Sequence, residues 1–189
     1  MESRGSLPSG HWVTRSNGLS AIRLILAPVF HHTVVESAWG LACLLFWIAV
    51  ATDWLDGRVA RARGESTAFG GLLDHASDAT FVSLGLLALA RTDRIPIGLP
   101  LLVALAFVQY VLDSRALEGR RLRASALGRW NGILYFVPPG LLAMREVLGL
   151  AVPSDDAIRL LGWLLVLTTL VSMIDRGWAL VSSRSRGGR

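Results

Sequence analysis

Asp53, Asp56, Asp74 and Asp78 lie within 26 positions of one another, in sequence otherwise apolar enough to cross a membrane. They form two groups, Asp53-Trp-Leu-Asp56-Gly57-Arg-Val-Ala60-Arg61 and Gly70-Gly-Leu-Leu-Asp74-His-Ala-Ser-Asp78, separated by eight residues. An ionised side chain at the bilayer centre costs about 2.5–3.5 kcal/mol or more, so four carboxylates together imply a bound cation and a task for it. With only oxygen ligands and no cysteine nearby, the group favours Mg²⁺ or Mn²⁺ over zinc. Four carboxylates naturally support two ions about 4 Å apart, the arrangement that assists displacement of a leaving group at phosphorus.

Two helices suffice to position these groups. At about 100° per residue, Asp53 and Asp56 are roughly 60° apart and Ala60 returns to the same stripe. Asp74 and Asp78 are stacked one turn apart, with Gly70 a turn earlier, while His75 points away. The small residues Gly57, Ala60 and Gly70 leave room for a bulky ligand to approach the backbone. The stretch from Gly57 to Thr67 is short and rich in Arg, Gly and Ser, and is expected to be the turn of a helical hairpin.

The rest of the chain has the composition of a membrane protein. Its 189 residues are 52% hydrophobic, with a mean hydropathy of +0.49, and the apolar residues arrive in long blocks. Six stretches approach or reach the roughly 20 residues needed to span about 30 Å of hydrocarbon as helices: 19–35, 38–56, 68–90, 96–112, 127–152 and 158–181. The expected fold is an all-α integral membrane bundle of six transmembrane helices. Residues 1–18 would be a cytoplasmic N-terminal segment, 19–183 one membrane domain, and 184–189 a short basic tail. No cleavable leader is recognisable, so the first span is expected to direct insertion.

All 19 basic residues are arginines, and the net charge is +5. Arg4 and Arg15, then Arg58, Arg61 and Arg63, then Arg115, Arg120, Arg121 and Arg123, and finally Arg184, Arg186 and Arg189 fall on one face of a six-span topology. Arg91, Arg94, Arg145 and Arg159 fall on the other, mixed with Asp93, Glu146, Asp155 and Asp156. The positive-inside rule makes the arginine-rich face cytoplasmic. Topology and anionic lipid headgroups thus explain the charge, and no nucleic-acid partner is expected. Within the first span, Arg23 could snorkel to the cytoplasmic interface or serve a function, and the sequence leaves both open. The single cysteine, Cys43, excludes an intrachain disulfide.

The spacing Asp-x2-Asp-Gly-x2-Ala-Arg-x8-Gly-x3-Asp-x3-Asp resembles the signature of the CDP-alcohol phosphatidyltransferase family at every specified position. Ser16-Asn17-Gly-Leu19-Ser20-Ala-Ile-Arg23 resembles the family's Pro-Asn-x-Leu-Thr-x-x-Arg pattern, with Ser in place of the Pro and of the Thr. The resemblance implies transfer of a phosphatidyl group from CDP-diacylglycerol to an alcohol, releasing CMP, by a homodimer in the cytoplasmic membrane. It implies that Asp53, Asp56, Asp74 and Asp78 hold two divalent ions and that Asp78 is the general base. Gly57, Arg61 and Thr67 would contact the CDP moiety, Ala60 would give it clearance, and Asn17 would help hold the nucleotide.

The acceptor side is less defined. Ser125-Ala-Leu-Gly128-Arg129 resembles the family's Ser-x-x-Gly-Lys stretch, and Arg129 and Arg176, with Arg115 or Arg120, could clamp a phosphorylated alcohol such as glycerol 3-phosphate or an inositol phosphate. Trp130-Asn131-Gly132 departs from the Lys-Thr continuation of glycerophosphate-using members. Ala79 is neither the Lys nor the Arg that accompanies particular acceptors, so the acceptor stays open. The alternative class is a membrane cation-binding protein or transporter. Its path should cross the bilayer, whereas all four aspartates cluster toward one half of it.

Overall fold

The computed structural model describes residues 15–63, 68–113 and 126–187, and all the secondary structure described is helical. The helices are α1 (Arg15–Val35), α2 (Trp39–Arg63), α3 (Ala68–Arg91), α4 (Gly98–Asp113), α5 (Ala126–Leu134), α6 (Val137–Leu148) and α7 (Asp155–Gly187). By length and apolarity, Gly18–Val35, Gly70–Arg91 and Asp155–Trp178 are each sufficient to cross a membrane; the apolar stretches Trp39–Leu55 and Gly98–Leu112 are shorter.

Six spans were expected, with the Pro138-Pro139-Gly140 run set to break or kink a helix, and the fifth is broken. Pro138 and Pro139 carry no N–H for the carbonyls of Leu134 and Tyr135, and their rings would clash with the preceding turn. The helix accordingly stops at Leu134 and restarts at Val137 with proline in its first turn, where a missing N–H costs nothing. It ends at Gly149, whose left-handed φ of 62° lets its amide turn back toward the carbonyls of Arg145 and Glu146.

A second difference concerns the hairpin. The expected turn from Gly57 to Thr67 is helical as far as Arg63, so Asp53, Asp56, Gly57, Ala60 and Arg61 all ride on α2. A helical Gly57 costs about 1 kcal/mol relative to alanine. The flanking Arg58, Ala60, Arg61, Ala62 and Arg63 favour helix, and the chain continues in it.

The bundle is assembled around α3. Helix α1 packs on α3 and α2, α4 on α3 and α7, α6 on α2, and α5 on α7. Four phenylalanines tie α1, α2 and α3 to the α5–α6 break: Phe30 stacks on Phe81 at 5.0 Å, Phe81 on Phe136 at 6.2 Å, and Phe46 lies 6.4 Å from Phe136. Close approach at this centre requires residues without side chains. A Cβ at Gly140 would stand 2.6 Å from the Phe46 ring, and one at Gly85 would stand 2.8 Å from the Phe30 ring. The outer surface stays apolar, with Ile25, Trp47, Leu101, Leu160, Trp163, Leu167 and Trp178 all exposed, as a lipid-facing protein requires.

Candidate active site

Because α1 packs against both α2 and α3, one residue from α2 and two from α3 converge beside it. Each of Asp53, Asp74 and Asp78 offers an oxygen within 4.8 Å of the others. Asp74 and Asp78 share a face because they are four residues apart on α3, and Asp53 faces them from α2. The side chain of Asp56 lies outside those described.

The counter-charge comes from α1. Arg23 Nη1 donates to Asp53 Oδ1 at 2.8 Å and also to Asp78, while Nη2 donates to Asp74. Its side chain is fully buried, whereas those of Asp53, Asp74 and Asp78 remain 46%, 34% and 29% exposed. Arg23 therefore does not snorkel to the interface; it turns inward to the acids. Burial in a span selects this, because an ionised group there needs a partner and α2 and α3 supply a surplus of them.

The fit of a divalent cation can be judged on these residues. Three hard carboxylate oxygens from two rigid helices lie close enough to share one ion, and they already gather around a cationic guanidinium. That is the donor chemistry of a magnesium or manganese site, and the chain's one cysteine lies elsewhere on α2, at Cys43.

Beside the triad opens a cavity of about 470 Å³. Asp53, His75 and Asp78 form one side, and Arg129 and Arg176 contribute from α5 and α7. Val82, Val103, Phe107, Ile133, Phe136 and Met173 make much of the remaining wall apolar. The polar wall is braced across helices: Gln109 donates to the Met173 carbonyl at 2.9 Å, and the Tyr135 and Thr169 hydroxyls are 2.7 Å apart. The Arg176 guanidinium lies over the Tyr110 ring, 5.0 Å from its centre, a cation–π contact that fixes the charge at the cavity edge. His75 is held by the Gly71 carbonyl at 2.9 Å and stacks on Tyr110. It is outside the carboxylate triad.

Of the residues singled out from the sequence, Gly70 lies one turn before Asp74 on α3, and Arg129 and Arg176 border the cavity. Asn17, Gly57, Ala60 and Arg61 fall on described helices, but their side chains are outside the described set; Thr67, Arg115 and Arg120 lie outside the described residues altogether. The sequence reading left the role of Arg23 open and missed the cavity wall of Gln109, Tyr110, Tyr135 and Thr169. Arg23 carried a signal. It is the one charged residue between Arg15 and Glu36, and a lone charge within a span calls for a partner.

Comparison with known proteins agrees with this geometry. Residues 13–174 match the description of the CDP-alcohol phosphatidyltransferase family. A CDP-diacylglycerol–glycerol-3-phosphate 3-phosphatidyltransferase from Pseudomonas fluorescens is 30% identical over 127 residues, 66% of this chain and 59% of that protein. A cardiolipin synthase (CMP-forming) from Homo sapiens is 34% identical over 52% of this chain and 33% of that protein. A putative cardiolipin synthase from Mycobacterium tuberculosis strain H37Rv is 40% identical over 37% of this chain and 34% of that protein. The chain thus aligns with between a third and three fifths of the length of these relatives. With Asp53, Asp74 and Asp78 gathered from α2 and α3 and residues 13–174 matched, the chain belongs to the CDP-alcohol phosphatidyltransferase family.

Proposed function

We propose that this chain transfers the phosphatidyl group of CDP-diacylglycerol to the hydroxyl of an alcohol, releasing CMP and leaving a phospholipid. The observation that carries this reading is the convergence of Asp53, Asp74 and Asp78 around one cationic centre at the side of an intramembrane cavity. Phosphoryl transfer needs that arrangement of charge, because the diphosphate brings anionic oxygens that must be neutralised before a hydroxyl can attack.

Asp53, Asp56, Asp74 and Asp78 would hold two Mg²⁺ or Mn²⁺ ions, which when bound polarise the phosphoryl group and stabilise the departing CMP. Asp78 takes the proton of the acceptor hydroxyl, whose oxygen forms the new bond to the phosphatidyl phosphorus as the bond to CMP breaks. Gly57, Ala60, Arg61, Thr67, Gly70 and Asn17 are assigned to the CDP moiety. Arg129 and Arg176 border the cavity where the acceptor would sit; together with Arg115 or Arg120 they suit a phosphorylated alcohol such as glycerol 3-phosphate. The acyl chains would stay in lipid beside the apolar helix faces.

The enzyme would reside in the cytoplasmic membrane with the aspartates opening to the cytoplasm. This follows from the arginine bias of that face. A homodimer, implied by the family resemblance, would cover part of the exposed apolar surface.

The test is CMP release by the purified, detergent-solubilised protein. CDP-diacylglycerol would be supplied with Mg²⁺ or Mn²⁺ and a panel of glycerol 3-phosphate, inositol phosphate, phosphatidylglycerol and simple alcohols, and the lipid formed would be identified by mass spectrometry. One acceptor should release CMP stoichiometrically with a new phosphodiester lipid. The proposal fails if no acceptor does.

A further inference from the structure

Three carboxylates converge on one cation, and that cation belongs to the chain. The Arg23 guanidinium pairs with Asp53, Asp74 and Asp78 at once, from a side chain with no solvent exposure. Its partners lie on two other helices and keep roughly a third to half of their surface open. The guanidinium is sealed from solvent beside the triad, and Asp53 and Asp78 line the cavity. The oxygens that Arg23 engages belong to the same three carboxylates that lie within 4.8 Å of one another as a set of metal ligands.

We propose that Arg23 is a resident counter-ion. It offsets part of the triad's negative charge before divalent ions arrive, and it competes with them for the same oxygens. The inference rests on reading the triad as a metal site, and it assigns Arg23 a role that neither the signature aspartates nor the cavity supplies. An uncompensated cluster of carboxylates in a span would be costly, so a fixed positive charge allows the bundle to form without metal. The consequence is a lowered metal affinity. A unit charge about 4 Å from a dication opposes it by more than tenfold in binding constant even at the dielectric constant of water. The site is thereby set to fill only at high ion concentration.

The experiment is Mn²⁺ binding to detergent-solubilised protein, followed through the paramagnetic resonance signal of the free ion, alongside thermal melts in chelator and in Mg²⁺. Asp53→Asn with Asp74→Asn serves as the control lacking the site. Arg23→Gln should bind Mn²⁺ at least tenfold more tightly than the unmodified chain. Its melting temperature should rise steeply with Mg²⁺, whereas that of the unmodified chain should change little. Equal or weaker binding by Arg23→Gln would show that Arg23 supports the ligands and does not compete, overturning the inference.

If Arg23→Gln does not fold even in Mg²⁺, Arg23→Lys decides. A lysine cannot fork to three carboxylates, and its shorter reach withdraws the charge from the oxygens and weakens its repulsion of an ion there, so several-fold tighter binding supports competition and unchanged binding refutes it. Absence of site-specific Mn²⁺ binding in every variant would remove the metal site itself. Intact Mn²⁺ binding that is unaffected by position 23 would remove only the role of Arg23.

Discussion

Two charge clusters stand at opposite ends of α3, and they are built on different arithmetic. At one end Arg23 alone faces Asp53, Asp74 and Asp78, leaving an excess of two negative charges among the described side chains. At the other, Arg94, Arg145 and Arg159 face Glu146, Asp155 and Asp156 in balance. There Arg145 bonds Asp155 at 2.7 Å and the Pro153 carbonyl at 2.9 Å, and Arg159 reaches the Asp93 carbonyl at 2.9 Å. This end staples the α3–α4 connection, the end of α6 and the start of α7. A balanced cluster has no further cation to seek, whereas an anionic surplus inside a membrane bundle is expensive unless something positive arrives. Excess charge distinguishes a site from a staple here.

The sharpest way to break that comparison is to neutralise one aspartate in each cluster. Asp78→Asn removes the group assigned to take the hydroxyl proton, and CMP release should fall by about 10²–10⁴-fold with the helical circular dichroism retained. Asp155→Asn lies more than 13 helical residues, about 20 Å, from that chemistry, and should leave the rate within a factor of two. Comparable loss from both would mean that the two ends do not divide labour as their charges suggest.

The division was partly legible in the sequence. The aspartates of α2 and α3 announced a cation site because their spacing puts them on helix faces that a hairpin can oppose. The charged residues of the other end, from Arg91 to Arg159, were separable as one face because they fall at the far ends of apolar stretches. What could not be read was which charge meets which. Arg23 looked able to reach the interface, since a long side chain in a span usually does; only the packing of α1 against α2 and α3 turns it inward. The break at Tyr135 and Phe136 was visible as a proline pair, but its role was not. It places Tyr135 against Thr169 and Phe136 against Phe46 and Phe81, so the interrupted span forms both cavity wall and core. The cavity wall itself is assembled from α2, α3, α4, α5 and α7, a tertiary fact with no local pattern.

The staple should register in stability. Arg145→Met leaves the Pro153 carbonyl without this donor and removes one of two cations from Asp155. Arg145 is buried, but Asp155 is half exposed and keeps Arg94, so the loss should be about 1–3 kcal/mol, nearer one lost hydrogen bond to a charged group than a broken buried pair. Thermal or denaturant unfolding in detergent should show it, with specific activity per folded molecule preserved. A variant as stable as the parent would mean that this end is held by the apolar contacts beneath it.

The smallest effect belongs to Arg159, and it tests whether charge alone confers importance. Its pairing with Asp156 is one helical turn long at 3.4 Å, with Asp156 93% and Arg159 49% exposed. Exposed pairs of this kind contribute about 0.2–1 kcal/mol and are screened by salt. Arg159→Ala should lower stability by no more than that, and the Asp156 share should vanish in concentrated salt. A larger loss that survives salt would place the weight on the bond to the Asp93 carbonyl, and the α3–α4 connection would then depend on a backbone contact more than on the ion pairs around it.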